Sequence, residues 1–177
     1  IVGKVLRIPK LTTAGKPEIS EIYKQVLENG VVCLKDVNFS PKEMVDFVKK
    51  FGTIKVLPWY FKNFDQPGFP ELMRVGNIMH DGTYKKTKYT AEYFHHDGNF
   101  DPQGENFMWT FLHSKINPPI GGSTHFLDLV TGYKSLTKEE IDKLQDAYVT
   151  IDINEIRDFQ EKIKGLGLGG NDHRRFI

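Results

Sequence analysis

Apolar residues recur at helical spacing twice in the first third of the chain. Over 18–29, Ile19, Ile22, Tyr23, Val26 and Leu27 share one helical face, and Gly30 is placed to end the helix. Ser40-Pro41-Lys42-Glu43 reads as a capping box with proline at the first helical position. Met44, Phe47, Val48 and Phe51 then form an apolar stripe, which Gly52 closes. Two strands are expected around these helices. Residues 1–8 alternate loosely, and Val31-Val32-Cys33-Leu34 is a short β-branched run of the kind found in buried strands. Between 53 and 90, Pro58, Pro67, Gly68, Pro70, Gly76 and Gly82 break the chain into short pieces, with 72–78 a candidate strand. From 91 the alternation becomes β-like, through AEYFHHDGNF, FMWTFLHSKI (107–116) and GSTHFLDL (122–129). Thr137 to Glu140 is a second capping box, with Ile141 and Leu144 expected to face inward. A last amphipathic helix is expected from about Asn154 to Lys164, with Ile156, Phe159 and Ile163 on one side. Helices first and strands after predict an α+β fold with a mainly antiparallel sheet.

Composition narrows the class. A chain of 177 residues predicts a single domain over 1–177, and 12% aromatic residues supply a sizeable core. Twenty-four Lys and Arg against 23 Asp and Glu give no basic excess for nucleic acid. No apolar run approaches the roughly 18–20 residues of a membrane span. IVGKVLRIPK has neither the apolar stretch nor the cleavage site of a secretory signal. Cys33 is the one cysteine, which excludes an internal disulfide and a cysteine-based zinc site and fits a reducing, cytoplasmic compartment. The chain opens on Ile1 and closes on an apolar residue pair after arginine, so a processed or truncated chain is expected.

The densest chemistry lies in Tyr93-Phe94-His95-His96-Asp97-Gly98-Asn99-Phe100. On a strand, positions two apart share a face, so His95 and Asp97 would present an imidazole and a carboxylate together, with His96 turned away. These are two of the three donors of a 2-His-1-carboxylate site, which leaves open positions on a non-haem Fe(II). A solvated loop with two surface histidines is the alternative. One apolar strand later comes Pro118-Pro119-Ile120-Gly121-Gly122-Ser123-Thr124-His125-Phe126-Leu127-Asp128. A Pro-Pro turn and a Gly-Gly bend would set the Thr124 hydroxyl beside a neighbouring strand, where it can donate to a carboxylate. A plain β-turn with an edge strand would read the same way.

Taken in order, HHDGNF followed by PPIGGSTHFLDLVTGYKSL resembles the taurine dioxygenase (TauD/TfdA-like) family of Fe(II)/2-oxoglutarate-dependent oxygenases. VVCLKDVNFSPKEMVDFVKKFGTI is similar to that family's N-terminal strand, helix and Phe-Gly signature, and the resemblance covers roughly residues 25–150. It implies a double-stranded β-helix (jelly-roll) core with flanking helices, incomplete at the C-terminus. It implies that His95 and Asp97 ligate Fe(II), that Thr124 hydrogen-bonds a carboxylate of 2-oxoglutarate, and that O2 and a small organic substrate are the other partners. The implied reaction is hydroxylation or oxidative cleavage, with 2-oxoglutarate decarboxylated to succinate. Halogenating relatives carry a small residue in place of the carboxylate, and Asp97 argues against that chemistry.

Tyr60 and Asn99 are candidate substrate contacts. Tyr60 matches a sulfonate-gripping position of taurine-specific relatives, whereas Leu57 and Ala91 depart from their pattern. Trp59, Phe61, Phe64 and Trp109 line a more aromatic pocket or belong to the core. His80 and His113 read as solvated or structural. The family's distal histidine, and the arginine about ten residues after it, are expected well beyond the end of this sequence. His173 next to Arg174 and Arg175 is the candidate substitute, at the wrong spacing. A degenerate, non-catalytic binding fold and a cupin-like metal enzyme that does not use 2-oxoglutarate stay open. Homo-oligomerisation is compatible with all three. The GLGLGG run (165–170) lacks the preceding strand of a dinucleotide site and reads as a linker.

Overall fold

The computed structural model describes residues 2–56, 65–76, 82–83, 94–97 and 107–147. The chain divides into two compact units, one of residues 1–84 with 111–126 and one of 85–110 with 127–177.

The first unit opens with β1 (Lys4–Leu6), which pairs in parallel with β2 (Val32–Leu34). Parallel neighbours need a long crossover, and α1 (Lys16–Asn29) supplies it. Its start is set by Pro17 in the first turn and by Glu18, whose carboxylate accepts from the Gly15 N–H at 2.8 Å. Its end is Gly30, as expected: at φ 72° this residue sits in the left-handed region that glycine enters without penalty, and its N–H closes on the Val26 carbonyl at 2.8 Å. β2 is less buried than the apolar run suggests, because Cys33 points outward from a two-stranded sheet.

The helix α2 (Pro41–Val48) begins on the capping box read from the sequence. The Ser40 hydroxyl accepts from the Glu43 N–H at 3.3 Å, and the Glu43 carboxylate accepts from the Ser40 N–H at 2.8 Å. The helix stops at Val48, short of Gly52. Residues 50 and 51 tighten into turns bonded three residues back, from the Lys50 N–H to the Phe47 carbonyl and from the Phe51 N–H to that of Val48. The core gathers Leu11, Ala14, Ile22, Phe39, Met44 and Phe47, with Phe51, Leu72 and Phe111 packed around it. Phe47 is 3% exposed and meets Phe39, Phe51 and Phe111 at ring-centroid distances of 5.0, 5.3 and 6.4 Å. β3 (Asp65–Gln66) and β4 (Phe69–Met73) form an antiparallel hairpin over Pro67-Gly68, so the candidate strand at 72–78 begins earlier; 74–76 are not strand, and 77–78 lie outside the described residues.

In the second unit, α3 (Leu129–Lys134) and α4 (Lys138–Leu144) are short. The Thr137–Glu140 capping box is present. Leu144 is exposed rather than inward, and Ile141 is half-buried.

The described residues are thus a mixture of helices and two small two-stranded sheets, one parallel and one antiparallel. The expected mainly antiparallel sheet is not seen among them. Residues 107–116 and 122–128 carry no strand, and 129 already belongs to α3. A strand requires a neighbour's backbone to complete its ladder, and no described segment supplies one. The alternation in 111–115 has another cause: Phe111 and His113 turn toward the core and Leu112 away from it. The helix expected at 154–164 lies outside the described residues.

Phe47→Ala should destabilise the protein by about 3–5 kcal/mol, the usual range for emptying a buried aromatic site, measured by urea unfolding. Glu43 is held below the ordinary carboxylate value by the Ser40 hydroxyl and then by the Ser40 N–H. A depressed folded pKa gives stability that is present above the unfolded value and lost as pH falls through the folded one. Glu43→Gln should therefore shrink the loss in urea midpoint between pH 6 and pH 3, while the wild type shows the steeper acid slope.

Candidate metal centre

Residues 94–97, which hold the histidine pair, carry no strand. Residues 94–96 are irregular and Asp97 enters a turn. The expected pair nevertheless comes together: His95 Nε2 lies 3.8 Å from Asp97 Oδ1. The imidazole is the more sheltered partner, with its side chain 23% exposed against 45% for the carboxylate. His96 is exposed, and its Nδ1 lies 3.3 Å from the carbonyl of Asp97.

The separation of 3.8 Å has chemical content. It is too long for a direct N–H···O hydrogen bond, which ends near 3.2 Å. It is shorter than the roughly 4.2 Å that two donors can span across one first-row divalent ion at about 2.1 Å each. Imidazole with carboxylate is also a donor set suited to Fe(II) with open positions. The two side chains therefore fit as two donors to one such ion. Among the described residues no group of three His, Cys, Asp or Glu side chains forms a complete cage. His173, the candidate third donor, lies outside the described residues, as do Tyr60, Asn99, Leu57, Ala91, His80, Trp59, Phe61 and Phe64.

Thr124 belongs to the first unit, in the segment Phe111–Phe126, and is exposed. The strand expected to carry it is absent, but the bend before it is present. Gly121 and Gly122 sit at φ 78° and 73°, and a Cβ at Gly122 would lie 2.8 Å from Pro118 Cγ. Backbone chirality and this close approach both require glycine at 122. Asp128, read as part of a strand, instead caps α3. Its carboxylate accepts from the Thr131 hydroxyl, and from the Val130 N–H at 3.0 Å. These bonds, the Thr131 hydroxyl first, hold its pKa below the usual range. Of the two readings open for His113, the structural one holds: its Nε2 is 3.4 Å from the Val37 carbonyl and its ring stands edge-on to Phe39. Trp109 is half-buried. Lys115 was not singled out in the sequence. Its Nζ donates to Asn38 Oδ1 and to the Phe39 carbonyl, each at 2.9 Å.

The model of the family described as "Taurine catabolism dioxygenase TauD, TfdA family" matches residues 2–173. The chain belongs to the TauD/TfdA family. A curated relative, the alpha-ketoglutarate-dependent 2,4-dichlorophenoxyacetate dioxygenase of Cupriavidus pinatubonensis (strain JMP 134 / LMG 1197), is 22% identical over 135 residues. That alignment covers 71% of this chain and 46% of the relative, so the TauD/TfdA chain described here spans about half the length of the curated relative it matches. No solved structure matches it.

In this TauD/TfdA chain Gly122→Ala should cost more than Gly121→Ala. Both lose about 1–2 kcal/mol from the left-handed backbone, but only position 122 adds a collision with Pro118. Thermal unfolding of the two variants measures the difference, and equal losses would show that the bend relaxes away from Pro118.

Proposed function

We propose that this chain is the metal-bearing part of an Fe(II)/2-oxoglutarate-dependent dioxygenase. The proposed reaction hydroxylates or oxidatively cleaves a small organic molecule with O2, and converts 2-oxoglutarate to succinate and CO2. The proposal includes one oxygenase domain with a double-stranded β-helix core. The observation that carries it is the His95–Asp97 pair, 3.8 Å apart within the region matched by the TauD/TfdA model.

His95 and Asp97 would hold the iron. Bound iron would supply the redox chemistry that no side chain provides. The protein's own part is placement. His95 offers a neutral nitrogen from a partly sheltered side chain, so less water competes for it. Asp97 offers a negative oxygen that offsets the charge of the cation. A carboxylate at this position also keeps the coordination place that a halide would need, which favours hydroxylation or cleavage over halogenation. Thr124 would donate its hydroxyl to a carboxylate of 2-oxoglutarate, and Tyr60 and Asn99 would contact the substrate.

His95→Ala and Asp97→Ala should each abolish both Fe(II) binding and succinate formation. Thr124→Ala should retain iron and weaken 2-oxoglutarate roughly ten- to a hundred-fold, the size expected for losing one hydrogen bond to a charged group. His96→Ala should leave iron affinity nearly unchanged. Calorimetric titration of Fe(II) with 2-oxoglutarate present, under anaerobic conditions, reads all four variants. Loss of iron in His96→Ala with retention in His95→Ala would overturn the assignment. Iron binding without any succinate from 2-oxoglutarate in air would point to a metal enzyme of another class.

A further inference from the structure

The segment leading to Thr124 is fastened at successive points, all within the first unit. Phe111 packs on Phe51 and Phe47, at ring distances of 5.1 and 6.4 Å. His113 meets the Val37 carbonyl and the Phe39 ring. Lys115 binds Asn38 Oδ1 and the Phe39 carbonyl. The Ser114 hydroxyl then donates to Asn117 Oδ1 at 2.5 Å, and Pro118 closes against Gly122. Lys115 is the last of these anchors to reach across to another part of the chain. Beyond it, Pro118, Pro119 and the Gly121-Gly122 bend fix the path to the hydroxyl. Phe39 is almost fully buried, so the carbonyl that Lys115 grips is itself held by the core.

We propose that Lys115 is a positioning residue for 2-oxoglutarate: by tying its segment to Asn38 and Phe39, it fixes the bend that presents Thr124. This rests on the reading of Thr124 given under the proposed function. The lysine acts through geometry more than through stability, because an exposed ammonium contributes little net folding energy. A displacement of about 1 Å at a ligand-positioning group can nonetheless cost much of its effect.

The test is a double-mutant cycle on the full protein loaded with Fe(II), reading the dissociation constant of 2-oxoglutarate by anaerobic calorimetry. Lys115→Met should weaken 2-oxoglutarate about threefold to tenfold, within the range of through-structure couplings, and leave iron affinity intact. Lys115→Arg should recover part of the loss, and Asn38→Ala should reproduce part of it. In the Thr124→Ala background Lys115→Met should have no further effect, because the group it positions is gone. Hydrogen exchange across 118–126, which needs neither metal nor turnover, should accelerate in Lys115→Met and in Asn38→Ala. If Thr124→Ala weakens 2-oxoglutarate but Lys115→Met and Asn38→Ala do not, or if the effects of Lys115→Met and Thr124→Ala add fully, Lys115 is not a positioning residue. If Thr124→Ala itself leaves 2-oxoglutarate unchanged, the assigned role of Thr124 fails and the role of Lys115 falls with it. Iron binding by His95 and Asp97 would be untouched by that result. Should Lys115→Met not fold, Asn38→Ala decides alone, since it removes one acceptor and leaves the Phe39 carbonyl in place.

Discussion

The ring of Phe47 lies against those of Phe39, Phe51 and Phe111, and this aromatic contact joins parts of the chain far apart in sequence. Phe39 precedes α2, Phe47 lies within it, Phe51 follows it, and Phe111 arrives from about sixty residues further on. Tilted and edge-on rings at these distances add attraction beyond the area they bury. The helix that carries Phe47 is only eight residues long, too short to persist by propensity alone. It depends on the Ser40–Glu43 capping box at one end and on aromatic packing along its buried face. The path of the Thr124 segment depends on the same cluster, because Phe111, His113 and Lys115 all fasten to α2 or to the residues just before it.

How much of this was legible in the sequence depended on the range of the interaction. The two Ser/Thr–Glu capping boxes and the end of α1 at Gly30 are local, with three or four residues holding all the information, and they were read correctly. The end of α2 was not, since Gly52 looked like the stop and the helix tightens after Val48. The alternation in 107–116 was read as strand. Period two reports only which side chains face the core, and it is satisfied equally by a segment docked on α2 through Phe111 and on the residues before α2 through His113. Whether such a segment becomes a strand is decided by a second backbone, which local pattern does not contain. Asp128 shows the same error from a local interaction overlooked. Its Thr131 partner lies three residues on, yet the alternation before it suggested a strand where the residue caps a helix.

At the candidate site the proximity of His95 and Asp97 was legible and the local backbone was not. The pairing of His95 with Asp97 was expected from strand geometry, and the side chains do approach, but residues 94–97 carry no strand. Lys115 carried no motif at all. Its two acceptors, Asn38 and the Phe39 carbonyl, are more than seventy residues away in sequence, and only the folded chain connects them.

The central claim is that His95 and Asp97 form one metal-binding unit from which His96 is excluded. Nitrogen-15 NMR of the histidine side chains tests it directly, with Zn(II) as a diamagnetic substitute for Fe(II). On saturation the Nε2 resonance of His95 should move to the position of a metal-bound imidazole nitrogen, and it should stay unmoved in Asp97→Ala at the same metal concentration. The rings of His96, His113 and His125 should keep their metal-free shifts. Movement of His96 or His125 with His95 unchanged would contradict the account.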